Sequence, residues 1–149
     1  MNRRAIFATI ILLITVSFAA CNPPPEKARV TEVIDGDTII IDTGHTVRYI
    51  GIDTPELHPV PEAYGREARL ENRQLVEGKE VTLERDVSET DRYGRLLRYV
   101  YVDETFVNGE LVRLGLAEAK AYPPDTRHQD MLEQMESEAR QAGRGMWAK

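Results

Sequence analysis

The chain has 149 residues, enough for one domain with a core of its own and too few for two comfortable ones. Its 25 acidic and 19 basic side chains give a formal charge of −6, which excludes long-range attraction to a polyanion as an organising force, so any phosphate binding must come from a local group of arginines. The single cysteine, Cys21, excludes an intramolecular disulfide, and the core must stand without that staple.

The first twenty residues differ from the rest. Asn2, Arg3 and Arg4 make a positive start, Ala5 to Ala20 is an uncharged and mostly apolar run, and Ser17-Phe18-Ala19-Ala20 leads into Cys21. This order reads as a secretory signal peptide over residues 1–20, too short in its apolar part for a retained spanning helix. Phe18-Ala19-Ala20-Cys21 also resembles the lipobox of bacterial lipoproteins, with Phe18 where leucine is usual. That resemblance implies cleavage before Cys21, lipid modification of its thiol and an extracytoplasmic protein held to a membrane. If Cys21 is incidental, the same leader implies simple secretion. Residues 21–28, with Pro23-Pro24-Pro25, then read as anchor and stiff tether, and residues 29–149 as the folded domain.

From Arg29 the pattern turns to strands. Residues 30–34, 38–41 and 46–50 are short and rich in β-branched side chains, and Asp35-Gly36-Asp37 and Asp42-Thr43-Gly44 separate them as turns of a three-stranded meander. Asp-Gly favours a tight turn because Gly36 tolerates positive φ, which brings Asp35 and Asp37 together at one strand end. A loop with His58, Pro59 and Pro61 follows. A helix is expected from Glu62 or Ala63 to Glu77, with Gly78 as its C-cap and Tyr64, Ala68, Leu75 and Val76 facing the core. Residues 80–84 and 96–102 read as further strands joined by a polar loop. Asn108 is expected to cap a short helix carrying Leu111, Val112 and Leu114. After Pro123-Pro124, Asp125 or Thr126 is expected to cap a last helix to about Ala142, with Met131, Leu132, Met135 and Ala139 inward and Trp147 packing down the end. Five strands with three helices predict an α+β domain, a five-stranded Greek-key barrel of OB type with helical cover.

The chemistry concentrates in Arg48-Tyr49-Ile50-Gly51-Ile52-Asp53-Thr54-Pro55-Glu56. Arg48 supplies a fork of donors suited to phosphate, and two carboxylates stand just beyond the strand. In one reading Asp53 and Glu56 divide the labour, one fixing a metal and the other handling water. In the other, the segment is an acidic, proline-containing turn at a strand end. His45, His58 and His128 are scattered and form no soft ligand cluster.

Three segments belong together: Val33-Ile34-Asp35-Gly36-Asp37-Thr38, Arg48 to Glu56, and Thr90-Asp91-Arg92-Tyr93-Gly94-Arg95. In this order they resemble the staphylococcal nuclease (thermonuclease) family, and the likeness runs over residues 29–147. The resemblance implies a nuclease that hydrolyses phosphodiester bonds of DNA or RNA. It implies Asp37, Asp53 and the main-chain carbonyl of Thr54 as ligands of Ca²⁺, Asp35 as an acid beside that metal, and Glu56 as the group that activates water. Arg48 and Arg95 are implied as the arginines that grip the scissile phosphate. The hard oxygen donors suit Ca²⁺. Relatives have two tyrosines after the second helix, whereas residues 119–125 contain only Tyr122. Tyr122 and Tyr93 are accordingly candidates for substrate contact. The family resemblance leaves open which group protonates the leaving oxygen, since arginine scarcely gives up a proton. The competing reading is a non-catalytic module that binds nucleic acid or protein on the same fold; the presence of Asp37, Arg48, Asp53, Glu56 and Arg95 together favours the enzyme. A monomer is expected.

Overall fold

The computed structural model describes residues 24–148. The expected leader, Cys21 and the first tether residues Asn22 and Pro23 lie outside the described residues. The chain folds as β1 (Glu26–Asp35), β2 (Thr38–Ile41), β3 (Thr46–Tyr49), β4 (Ile52–Asp53), α1 (Gly65–Val76), β5 (Glu80–Glu84), β6 (Leu96–Val102), β7 (Thr105–Phe106), α2 (Val107–Arg113), β8 (Glu118–Ala119) and α3 (Gln129–Gln141). A single 3-10 turn, Gly145–Trp147, closes it. The sheet runs β3-β2-β1-β5-β6, and the parallel pairing of β3 with β6 joins its ends into a closed five-stranded barrel of OB type. Closure leaves those five strands no free edge.

Alternation along the strands fills the barrel. Val47 and Tyr49 on β3, Val81 and Leu83 on β5, and Ile39 and Ile41 on β2 are all buried. β1 departs from strict alternation because its register with β2 shifts between Val30 and Glu32, a bulge that lets both Val30 and Val33 face inward. Each such aliphatic side chain contributes about 1.5–3 kcal/mol by burial. Ala68 and Val76 of α1, Leu111 and Val112 of α2, and Leu132 of α3 close the barrel from outside.

Several boundaries differ from expectation. β1 starts at Glu26, and Glu26, Lys27 and Ala28 pair with Leu83, Thr82 and Val81, so three residues expected in the tether belong to the sheet. α1 starts at Gly65, because Tyr64 takes a left-handed conformation at φ 67° and ends up half-buried at the entry. Gly78 does lie just past the helix end in the left-handed region that a C-cap needs. Asn108 is no cap. It is buried inside α2, where its amide oxygen accepts from Val100 N–H at 2.9 Å and its nitrogen donates to Ile50 C=O at 2.9 Å. Nor does Asp125 or Thr126 cap α3, whose N-cap position is His128. Met131 is exposed rather than core, while Leu132 and Ala139 are buried. Trp147 lies against Arg140, whose guanidinium carbon is 3.5 Å from the ring centroid.

Candidate active site

The Asp35-Gly36-Asp37 turn joins β1 to β2, and α1 holds it in place. The Asn72 amide donates to Asp35 C=O at 3.0 Å and accepts from the Tyr49 hydroxyl at 2.8 Å, while Arg69 Nε donates to Val33 C=O at 3.2 Å. Asp35 Oδ1 accepts from Asp37 N–H at 3.2 Å, a local turn bond that aims the next carboxylate inward. Gly36 does not use positive φ, contrary to the reason expected for it. It is required because an added Cβ would lie 2.7 Å from Thr54 Cγ2 and 2.8 Å from Ala68 Cβ. The turn therefore packs directly on the segment that carries the other acids.

Asp37 is buried, and its carboxylate is surrounded. Oδ1 accepts from the Thr38 hydroxyl at 3.0 Å, Oδ2 accepts from Thr54 N–H at 3.0 Å, and Arg48 Nη2 is 3.0 Å from Oδ2. Burial pushes this carboxyl up to about 6; Arg48 opposes the rise and Asp35 adds to it. The same Arg48 Nη2 donates to Asp53 Oδ1 at 2.8 Å, and Arg48 Nη1 donates to Tyr49 C=O and Ile52 C=O at 2.8 and 3.0 Å. Three of its five donors are thus engaged in hydrogen bonds, Nη2 also pairs with Asp37 as an ion pair, and Nε has no partner among the described residues. Asp53 is placed by the short pairing of β4 with β8, which sets Asp53 opposite Glu118.

That pairing also brings in a residue sequence reasoning missed. Lys120 N–H donates to Gly51 C=O, and its ammonium donates to Asp53 Oδ2 at 2.6 Å and lies 5.5 Å from the Tyr122 ring. The bond to Asp53, with Tyr122 second, raises the lysine above its ordinary range. Asp53 and Lys120 are 67 positions apart, and only the pairing of two-residue strands signals the contact.

The third segment forms a turn before β6. Asp91 Oδ1 accepts from Tyr93 N–H and Arg95 N–H, and Oδ2 accepts from Arg95 Nε at 2.6 Å. Burial alone would raise Asp91, but the Arg95 bonds and the Tyr93 N–H outweigh it and hold the carboxyl below its usual range. The loop is pinned from behind: buried Arg98 pairs with Glu89, and Asp125 Oδ1 accepts from Val87 and Ser88 N–H at 2.9 and 2.7 Å. Arg48, Arg95, Tyr93 and Tyr122 share one groove of about 540 Å³. Tyr93 is 68% exposed and Tyr122 41%, so both rings present faces to solvent and do not pack the core.

Glu56 stands apart from this cluster. Its backbone is fixed by Glu62, whose carboxylate accepts Glu56 N–H at 2.9 Å and whose N–H donates to Glu56 C=O at 2.8 Å, while its side chain is exposed. The structure thus brings Asp35, Asp37, Arg48, Asp53 and Thr54 into direct contact or sequence. It sets Arg95 and both tyrosines around the same groove and leaves Glu56 exposed outside the groove's lining. Among the described residues no three acidic, histidine or cysteine side chains converge as a metal cluster. Two oxygen-donor carboxylates nevertheless meet at one Arg48 nitrogen, a donor set that fits a hard cation completed by backbone oxygen and water.

A family model described as staphylococcal nuclease homologue matches residues 46–149. The chain belongs to the staphylococcal nuclease family. It is 34% identical over 160 residues to a thermonuclease of Staphylococcus hyicus, covering 96% of this chain and 94% of that protein. It is 40% identical over 129 residues to a thermonuclease of Staphylococcus intermedius, covering 82% and 76%. It is 41% identical over 124 residues to endonuclease YncB of Bacillus subtilis, covering 78% and 59%. The family's fold is the closed barrel described above.

Proposed function

We propose that this protein is a nuclease, a hydrolase that cuts phosphodiester bonds inside DNA or RNA, with Ca²⁺ as its cofactor. The observation that carries the reading is one arginine nitrogen shared between Asp37 and Asp53 at a groove lined by a second arginine. Family membership and relatives named thermonuclease and endonuclease support it.

In this mechanism Asp37, Asp53 and the carbonyl of Thr54 would hold the metal. When bound, Ca²⁺ supplies positive charge that stabilises the phosphate as negative charge builds on its oxygens. The remaining work falls to the chain. Arg48, through its free Nε, and Arg95, through the Nη groups that its Asp91 bond leaves over, donate to the non-bridging oxygens of the scissile phosphate. Their backbones are already fixed, so little reorganisation accompanies the reaction. Glu56, whose side chain is exposed, takes the proton from a water that attacks phosphorus in line with the leaving oxygen. Tyr93 and Tyr122 offer ring faces to bases on either side of that phosphate.

Arg48→Ala, Arg95→Ala and Glu56→Ala are each expected to lower turnover about 100-fold or more. The test is hydrolysis of single-stranded DNA in Ca²⁺ and in chelator, with each variant beside the native protein. Cutting that needs no divalent ion, or that survives in a variant, removes the metal or that residue from its role. A folded protein that binds DNA and cuts nothing under any divalent ion belongs to the binding-module class instead.

The proposal for location rests on the sequence of residues 1–28. Residues 1–20 direct export, Cys21 carries lipid, and the folded monomer works outside the cytoplasm, held to a membrane. Cys21→Ser should abolish membrane partition; unchanged mass and partition in that variant would refute the anchor.

A further inference from the structure

A second groove, of about 350 Å³, lies along α1 and has no part in the mechanism above. Arg66, Arg69 and Arg73 line it from one face of the helix, and Leu57, Pro61 and Leu70 line it with apolar surface. Spacings of three and four residues put the arginines in a row about 10 Å long along the helix axis. Arg69 is anchored by its Nε to Val33 C=O, which leaves its Nη groups available at a fixed position. Arg73 Nε is bound to Glu77 at 2.5 Å, and Arg66 meets no carboxylate among the described residues. Leu70 is 57% exposed in the middle of this row. In a chain of net charge −6, three arginines around an exposed leucine stand out against the background.

The groove adjoins the candidate active site. Arg66 follows Gly65, and a Cβ on Gly65 would lie 2.9 Å from the carbonyl oxygens of both Pro55 and Glu56. Leu57, the next residue after Glu56, already belongs to the groove wall. A polynucleotide gripped by Arg48 and Arg95 with Glu56 at the reacting phosphate therefore has the start of α1 beside its Glu56 end. We propose that the Arg66–Arg69–Arg73 groove is an extended subsite that binds the phosphates of a single-stranded segment of substrate, on the Glu56 side of the cut bond. A row about 10 Å long exceeds the spacing between adjacent phosphates of an extended single strand, so it meets more than one phosphate. Leu70 and Pro61 give an apolar surface for a base between them. This inference rests on the nuclease reading above.

The test is the double variant Arg66→Gln/Arg73→Gln in the full chain, which spares Arg69 and its bond to β1. Binding is measured by fluorescence anisotropy of labelled oligothymidylate in chelator, across a range of salt. Cutting is then compared on the same oligonucleotide and on a dinucleotide too short to reach α1. The expected result is about tenfold weaker binding of the long strand at low salt, with the slope of log affinity against log salt reduced by about 1.4. Dinucleotide cutting should be unchanged, and Arg66→Lys/Arg73→Lys should recover the salt slope. Equal affinity and slope in the glutamine variant and the native protein would overturn the subsite while leaving the nuclease reading intact. A parallel loss on long strand and dinucleotide would also overturn it, since the effect would then lie in the site itself. A native protein that neither binds nor cuts either probe refutes the nuclease reading, and the subsite with it.

Discussion

In Asp37→Asn the amide keeps the shape of the carboxyl and removes its charge. Its oxygen takes the place of Oδ2, accepting from Thr54 N–H and Arg48 Nη2, and its nitrogen takes the place of Oδ1, facing a Thr38 hydroxyl that turns to accept. No packing is lost. In the native protein burial raises this carboxyl from 3.8 to about 6, and a rise of that size corresponds to about 3 kcal/mol against the folded state near pH 7. Desolvation of the amide offsets part of the gain. The variant should therefore be more stable by about 1–2 kcal/mol in chelator, a rise in Tm of roughly 5 °C.

The pH dependence fixes the sign. Between 3.8 and about 6 the folded state binds more protons than the unfolded chain at this residue. Its contribution is therefore fully present below the unfolded value and is lost as pH rises through the folded value. The difference in stability between variant and native protein should grow from near zero at about pH 4 to its full size at about pH 7. Thermal and urea unfolding in chelator measure it, with DNA hydrolysis in Ca²⁺ alongside, where the variant should be inactive. A variant less stable than the native protein at about pH 7, or a stability difference flat across this range, would refute the claim that the site's charge opposes the fold.

The remaining predictions concern groups around the same centre. Lys120→Ala removes a cation 2.6 Å from Asp53, and calorimetric titration should find Ca²⁺ bound several-fold more tightly; unchanged affinity would show that the lysine does not compete for that carboxylate. Asn72→Ala leaves Asp35 C=O and the buried Tyr49 hydroxyl without their partner, so urea unfolding should report a loss of about 1–3 kcal/mol; a neutral effect would mean that water replaces the amide. Gly36→Ala forces a Cβ against Thr54 and Ala68 at 2.7–2.8 Å. It should cost about 1–3 kcal/mol and lower turnover, because the Asp37 and Thr54 segments can part only by moving those two residues; native-like activity would refute the tight coupling.

The barrel was legible because its strands carry their own signal. Val47 and Tyr49, or Val81 and Leu83, alternate with polar, less buried neighbours on a period that no helix shares. The acids and arginines were legible because Asp35, Asp37, Arg48, Asp53, Glu56 and Arg95 lie in three short segments whose order carries the family likeness. What was not legible was decided between segments. Asn108 looked like a cap because asparagine favours that place in a helix, but the Val100 N–H and Ile50 C=O that claim its amide come from other elements. Gly36 was expected for its torsional freedom and is needed for its lack of a side chain, a demand made by Thr54 and Ala68 rather than by the turn. Lys120 lies on an extended segment whose pairing partner, β4, is two residues long. So short a strand has no periodicity to detect, yet it places the lysine against Asp53 and makes Lys120 the candidate residue least visible before the chain is folded.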